Sequence, residues 1–169
     1  IMGLLVPSSG RVIVNGYDLN GSPGQGFKRE FQSEIAHVPQ SATLPDTSIE
    51  NVISDCFGDN NPDFLRVKWA ASIACIDSLI DSLPNGYSTP VGERGGSFSG
   101  GQVQRLLIAR AIYKDPQLLI LDESTNALDT QTEALLFQSL RKNLPHCCVL
   151  VVTHRPATLD YCDHVYNLD

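Results

Sequence analysis

The sequence has little that would indicate a secreted, membrane-spanning or DNA-reading protein. Its five cysteines include no CxxC pair, so a metal cluster is not predicted and we interpret them as reduced thiols. No apolar run approaches the ~20 residues that cross a bilayer, and no signal peptide is visible, so the chain itself is predicted to be soluble. The net charge of −7 and the pI near 4.9 argue against a reader of duplex DNA, which needs a basic stripe.

The 169 residues also lack the P-loop that holds nucleotide phosphates in many NTPases. That loop has the pattern G-x-x-x-x-G-K-[ST] between a strand and a helix. The nearest approach is segment 21–28, "GSPGQGFK", in which Phe27 separates Gly26 from Lys28 and Arg29 stands in place of Ser or Thr. We also expect residues 20–26 to form a loop with no helix behind it, so we reject this segment as a P-loop.

What is present divides the chain into three parts, which we predict at 1–46, 47–113 and 114–169. The first part is β-rich, with strands at 11–15 and 35–38. The second is helical: Thr47 and Glu50 form a predicted capping box, Asn61-Pro62 a helix start, and apolar residues recur at helical spacing from Leu65 to Leu83.

The third part predicts an α/β fold with a mostly parallel sheet. A helix ending near Asp115-Pro116 is followed by the apolar run 118–121, which is typical of a strand buried on both faces. A capping box at Thr130 and Glu133 opens the next helix, and a second buried strand follows at 149–152. This strand–helix–strand order predicts parallel strands joined by a right-handed crossover.

Polar side chains follow both buried strands. Asp122 and Glu123 end the first, and Thr153 and His154 end the second, so these groups converge on the sheet edge where ligands bind in parallel sheets. Asp122 suits Mg²⁺, which prefers oxygen ligands. In an extended chain Glu123 points the other way and is free to act as a general base toward water. The alternative is that the two carboxylates only cap the next turn.

A second candidate site is the helix start in "SFSGGQVQR". Helix N-termini offer N–H groups without intrahelical partners, and glycine lets a phosphate approach the backbone closely. Ser99, Gly100 and Gly101 fit an anion site of this kind. The alternative is a plain serine cap with glycines supplying a turn.

Together these features resemble the nucleotide-binding domain of ABC transporters over essentially the whole chain. The SGGQ of Ser99, Gly100, Gly101 and Gln102 resembles the ABC signature, and 118–122 with Glu123 resembles the Walker B strand and its catalytic glutamate. Gln40 is similar to the Q-loop residue, 127–129 with Asp129 to the D-loop, and His154 to the switch histidine. Phe98 and Asn126 depart from the usual Leu and Ser. The resemblance implies a P-loop NTPase-like core with an inserted helical subdomain and a small β region.

Further segments resemble exporter-type ABC proteins. These are the "VGERG" of Val91–Gly95, segment 46–52, and the "THRPATLDYCD" of 153–163. The resemblance implies contact with transmembrane domains through the Gln40 region and Val91–Gly95. The alternative is a soluble ABC ATPase of the repair or translation type, which would lack "VGERG".

The resemblance also implies a mechanism. Two such domains face each other head to tail around two ATP molecules, and Ser99–Gln102 of one close over the ATP held by the other. Asp122 and Gln40 hold Mg²⁺, Gln40 also reaches the attacking water, and Glu123 acts as base. His154 contacts the γ-phosphate, and Asp129 communicates across the dimer. ATP hydrolysis would power export of a substrate from the cytoplasmic face of the cell membrane, with no nucleic acid as partner.

The start of the chain fits the same resemblance. In ABC domains the helix after the P-loop ends in a sequence similar to that of residues 1–5. We therefore expect the Walker A P-loop and the adenine-stacking aromatic to lie upstream, the C-terminal helices to follow Asp169, and the fragment to be inactive alone.

Overall fold

A parallel sheet and a group of helices share one core in the computed structural model. The model describes residue 2 and residues 6–21, 24–56 and 61–167, without the side chains of residues 24–26 and 94. The strands are β1 (Ile13–Val14), β2 (Tyr17–Asp18), β3 (Ile35–Val38), β4 (Leu118–Asp122) and β5 (Cys148–Val152). The α-helices are α1 (Gly24–Ser33), α2 (Ile49–Ser54), α3 (Phe64–Ile73), α4 (Asp77–Ser82), α5 (Gly100–Tyr113) and α6 (Thr130–Asn143). Short 3-10 helices cover Gly86–Ser88, Glu93–Gly95 and Pro156–Tyr161.

The sheet has the order β3-β4-β5, and both pairings are parallel. Leu119 and Leu121 on one face of the central strand are fully buried, and Ile120 on the other face is buried as well, as expected for a strand covered on both faces. Helix α6 makes the crossover between β4 and β5. The α/β class and the parallel pairing of the two apolar strands are therefore confirmed.

Helix α5 lies between the sheet and the helical subdomain, where it packs against β3, α2 and α3. Ile108 and Ile112 on this helix are completely buried. Because α5 begins at the signature segment, the same apolar contacts that join sheet and subdomain also fix where the signature lies.

The apolar stripe from Leu65 to Leu83 is helical but not one helix, since α3 ends at Ile73 and α4 starts at Asp77. Cys75 adopts a left-handed conformation with φ of 56°. The Ile76 N–H donates to the Ala71 carbonyl (3.0 Å) and the Cys75 N–H to the Ser72 carbonyl (3.1 Å), which is a Schellman ending. Glycine usually occupies this position, so the cysteine concealed the break.

Two predicted helix starts in the subdomain are displaced by one or two residues. Ser48, not Thr47, caps α2, and Asp63, not Asn61, caps α3. Both true caps have an extended backbone and a side-chain oxygen that accepts N–H groups of the first turn. The Thr47–Glu50 capping box is therefore wrong as a cap assignment.

The N-terminal strand is shorter than predicted, because β1 covers only Ile13–Val14 and turns at once into β2. Asn15 (φ 50°) and Gly16 (φ 84°) both have positive φ, as a two-residue type I′ hairpin turn requires. The prediction of a loop at 20–26 with no helix behind it is wrong, since α1 runs from Gly24 to Ser33. The rejection of a P-loop there rests on its mismatched residues, Phe27 and Arg29. The segment at 1–5 lies outside the described residues except for Met2.

Among the helices in the described ranges, none combines the length and the apolar character needed to cross a bilayer.

Two neighbouring leucines on α6 test the position of the core. Leu136 is fully buried and Leu135 is 51% exposed. Leu136→Ala should lower the free energy of unfolding by about 2–5 kcal/mol, because it removes methyl groups from a packed site and leaves a cavity. Leu135→Ala should cost less than about 1 kcal/mol. Urea unfolding of both variants measures the difference, and equal losses would contradict this packing of α6.

Candidate functional site

The carboxyl ends of β4 and β5 lie side by side, which brings Asp122 level with Val152. Glu123 directly follows β4, and Thr153 and His154 follow β5. Parallel pairing therefore gathers the two acidic residues and the histidine at one sheet edge, as the sequence indicated.

Glu123 is at the centre of a group of polar side chains. Gln40, just after β3, donates through Nε2 to Glu123 Oε2 (2.7 Å), and Asn126 donates through Nδ2 to the same oxygen (3.0 Å). His154 Nδ1 lies 3.4 Å from Glu123 Oε1. The structure thus brings three predicted residues, Gln40, Glu123 and His154, into one cluster.

The backbone of Glu123 differs from the expected extended conformation. Its φ is 48°, in the left-handed region that non-glycine residues seldom adopt. The Glu123 N–H still donates to the Val152 carbonyl (2.9 Å), so the residue continues the sheet bonding while its backbone turns out of the strand. Strained backbones of this kind cluster at functional sites.

Asp122 is partly exposed, with 44% of its side chain accessible, and His37 of β3 approaches it (Nε2 to Oδ2, 4.0 Å). No group of three or more acidic, histidine or cysteine side chains suited to a metal ion occurs in the described ranges. The Asp122 carboxylate and the Gln40 side-chain amide can each supply an oxygen ligand, so the protein would contribute few ligands to a metal ion. This fits an ion such as Mg²⁺, which keeps several waters and needs only one or two protein ligands.

The signature segment forms a capped helix start. Ser99 Oγ accepts the Gln102 N–H (3.4 Å), and Gln102 Oε1 accepts the Ser99 N–H (2.8 Å), so the two residues make a full capping box. The N–H groups of Gly100 and Gly101 at the first helical positions have no acceptor within the helix. The serine cap and the anion site are therefore compatible, because the cap uses different N–H groups.

A cleft of about 300 Å³ opens beside this helix start. It lies where the N-termini of α5 and α6 approach each other, and the Arg105 side chain also lines it. The α5 dipole and this arginine favour an anion, whereas the Asp129 carboxylate offsets the dipole of α6. The residues that line it include all five that were predicted to form the cofactor-binding set: Ser99, Gly100, Gly101, Gln102 and Asp129. This cleft is separate from the Glu123 cluster.

Gly101 has a structural reason as well. A Cβ on Gly101 would lie 2.8 Å from the Ala127 carbonyl oxygen, which is closer than such atoms approach in proteins. Gln104, one turn along α5, accepts the Ala127 N–H through Oε1 (3.0 Å). The helix start therefore lies directly on the chain that follows Glu123.

We call residues 124–129 the connecting segment, because it runs from the Glu123 cluster to the cleft. Its Asn126 contacts Glu123, and its Ala127 contacts α5. In the sequence, Asn126 stands out only as a departure from the usual serine, and Gln104 was not predicted. An amide three residues after the glutamate was the available signal for Asn126.

Asp129 ends the connecting segment and is the N-cap of α6, a position that the sequence analysis gave to Thr130. Its carboxylate accepts the Thr132 hydroxyl (2.6 Å) and the Thr132 N–H (2.9 Å). These hydrogen bonds, that of the side chain first, lower the pKa of Asp129 below its usual value. Glu133 does not complete a capping box, since its side chain is buried against Thr158 and Arg155.

Two of the three segments that resemble exporters, 46–52 and Val91–Gly95, lie next to each other. The Val91 N–H donates to the Thr47 carbonyl (2.9 Å), and the Ile49 N–H donates to the Thr89 carbonyl (3.0 Å). Val91 is fully buried, Gly92 has a φ of 76°, and the next residue, Glu93, is exposed. Segments 46–52 and Val91–Gly95 thus form one continuous region.

Comparisons with known proteins agree with this geometry. The sequence pattern of the family described as ABC transporter matches residues 1–126. The uncharacterized ABC transporter ATP-binding protein YfiB of Bacillus subtilis is 37% identical over 166 residues, covering 98% of this chain and 28% of the relative. The ATP-dependent lipid A-core flippase of Cupriavidus pinatubonensis is 37% identical over 164 residues, covering 96% and 27%. A bacterial Atm1-family ABC exporter with ATP bound superposes with a TM-score of 0.82 at 33% identity, covering 94% of this chain and 27% of that one.

The chain belongs to the ABC transporter family. The resemblance to an ABC nucleotide-binding domain is confirmed, and so is the ABC ATPase fold. The soluble ABC ATPase is not favoured. The chain spans about a quarter of the length of these relatives.

Gly100 and Gly101 are a matched pair for testing the contact with Ala127. Gly101→Ala should destabilise the domain by about 1–3 kcal/mol, because the added Cβ collides with backbone. A Cβ on Gly100 meets the Ala127 Cβ at an ordinary 3.5 Å, so Gly100→Ala should change stability by less than about 1 kcal/mol. Unfolding without nucleotide measures both, and an unaffected Gly101→Ala variant would contradict the contact.

The Asp129 cap has a pH signature. Its stabilisation is complete above the unfolded-state pKa near 3.8 and is lost as pH falls through the lower folded-state pKa. Thr132→Val removes the hydroxyl donor, so the pKa of Asp129 should rise toward 3.8 and acid unfolding should begin at higher pH. The carboxyl ¹³C resonance of Asp129 measures this pKa. Thr130→Val, at the exposed neighbouring threonine, is the control that should leave it unchanged.

Proposed function

We propose that the protein containing this chain binds and hydrolyses ATP and uses the energy to export a substrate across a membrane. The observation that carries the proposal is the cluster at Glu123, where one carboxylate contacts both Gln40 and His154. Membership of the ABC transporter family and the likeness to an exporter with ATP bound support the same conclusion.

Glu123 has the geometry of a general base. One of its oxygens accepts from Gln40 and Asn126, and the other faces His154, so the carboxylate is held at the sheet edge rather than rotating freely. Its side chain is 26% exposed, which leaves access for a water molecule. In this proposal Glu123 takes the proton of the attacking water, Gln40 orients that water, and His154 contacts the γ-phosphate.

Asp122 and Gln40 would hold Mg²⁺ at the rim of the sheet. When bound, the ion neutralises charge on the phosphate oxygens. The positions of Asp122 after β4 and Gln40 after β3 support this assignment, since both are oxygen donors on adjacent strands.

The cleft beside α5 suits a phosphate other than the one proposed to lie at the Glu123 cluster. Ser99 offers its hydroxyl hydrogen, and Gly100 and Gly101 offer N–H groups at a positive helix end. We therefore propose that this cleft closes over the ATP of a second nucleotide-binding domain in a head-to-tail dimer. Asp129, which lies on the lining of the same cleft, would face that partner.

The region formed by 46–52 and Val91–Gly95 is proposed to contact the transmembrane domains, together with the chain near Gln40. The exposed Glu93, two residues after the buried Val91, supports this role, because a rigid base carries a side chain that protrudes. The domain would then lie at the cytoplasmic face of the membrane.

Glu123→Gln tests the proposed hydrolysis in the whole protein. The amide keeps the size of the side chain but cannot take a proton, so turnover should fall by about 10²-fold or more while ATP binding is retained. Phosphate release and binding of a fluorescent ATP analogue measure the two quantities. Glu30→Gln, at an exposed position on α1, should leave turnover unchanged.

Unchanged turnover in the Glu123→Gln variant would remove Glu123 from this role. The 169-residue chain alone, which has no P-loop sequence, should show no turnover. Robust hydrolysis by it would contradict the proposed site.

A further inference from the structure

Glu133, in the first turn of α6, is a carboxylate with no exposed surface. Such a group is costly to bury unless charged or hydrogen-bonding partners surround it. Thr158, also fully buried, donates through Oγ1 to Glu133 Oε1 (3.0 Å), and Arg155 Nη1 lies 3.2 Å from Glu133 Oε2. Both partners come from the chain that follows β5.

The same Arg155 nitrogen also reaches the connecting segment. Nη1 donates to the Thr125 carbonyl (3.0 Å) and contacts the Leu128 carbonyl (3.4 Å). One guanidinium nitrogen carries two hydrogens, so both are directed to backbone oxygens while Glu133 balances the charge. Glu133 therefore holds the guanidinium, and the guanidinium holds the connecting segment at two points.

Those two points lie on either side of Asn126 and Ala127. Asn126 contacts Oε2 of Glu123, and Ala127 contacts α5. Arg155 also follows His154 in the chain, and its backbone N–H donates to Thr153 Oγ1 (3.0 Å), so the turn that carries His154 is anchored at the residue whose side chain holds the connecting segment. Arg155 thus lies behind two of the three contacts of the Glu123 carboxylate, those with Asn126 and His154.

We propose that Arg155 is a positioning residue for hydrolysis, which sets the orientation of Glu123 by holding Asn126 on one side and His154 on the other. This inference rests on the proposed ATPase function. Glu133 and Thr158 act through Arg155, because they fix its guanidinium.

A different result is expected if the Arg155–Glu133 ion pair has only a structural role. Buried ion pairs often add little net stability over apolar residues of similar size, so a pair kept only for packing is replaceable without loss of function. Here the acceptors of Arg155 are backbone carbonyls next to the residues that contact Glu123, and no apolar side chain reproduces those bonds.

The test is Arg155→Met in the whole protein, with kcat and KM for ATP measured separately. We expect kcat to fall at least about tenfold, since small misplacements of reacting groups are costly. KM should change less than about twofold, because no phosphate contact is assigned to Arg155. Amide hydrogen exchange in residues 125–129 should become faster, and this measurement needs no nucleotide.

Leu136→Ala is the control for lost stability. This substitution shortens a buried side chain on α6, the helix that carries Glu133. The leucine side chain is apolar and forms no hydrogen bond with the connecting segment. Below its unfolding temperature the variant should keep kcat within about twofold of the parent. Equal loss of kcat in the two variants, or an unchanged kcat in Arg155→Met, would overturn the proposal.

If Arg155→Met does not fold, the double variant Glu133→Met with Arg155→Met replaces the ion pair by an apolar pair. We expect it to fold and to retain the low kcat, whereas recovery of parental kcat would show a structural role only. Glu123→Gln separates this inference from the proposed function: if that variant loses turnover while Arg155→Met does not, only the inference fails.

Discussion

The close contact between Gly101 and the Ala127 carbonyl is the constraint on which the rest of the site depends. It lets the start of α5 lie directly on the connecting segment, with Gln104 bonded to the same residue. The other side of that segment is bonded to Arg155. A strip of six residues therefore joins the Glu123 cluster to the cleft beside α5, the two places proposed to bind different phosphates. Neither can move without displacing backbone that the other contacts.

Much of this arrangement could be predicted from the sequence. The apolar run at 118–121 fixed a buried strand, the next strand had to be parallel, and the edge residues followed from sheet geometry. The spacing of apolar side chains and the order of strands and helices along the chain are local properties, so they can be predicted from residue types. The same is true of the serine and glycines that start α5.

The features that could not be predicted depend on competition between neighbouring cap residues and on contacts made with the backbone. Asp129 and Thr130 can both cap a helix, and only the tertiary path of the chain decides between them. Cys75 adopts a conformation that glycine usually signals. The guanidinium of Arg155 bonds to the carbonyl oxygens of Thr125 and Leu128, a group that every residue carries, so the sequence does not indicate these two partners.

At Glu123 the left-handed backbone conformation would be most favourable for glycine, whereas the proposed chemistry needs a carboxylate. A glycine at this position would relax the backbone and remove the carboxylate in one step. Folding gains from the glutamate only through the contacts of its carboxylate with Gln40, Asn126 and His154. Those contacts and the proposed chemistry are therefore what offset the unfavourable backbone conformation at this position.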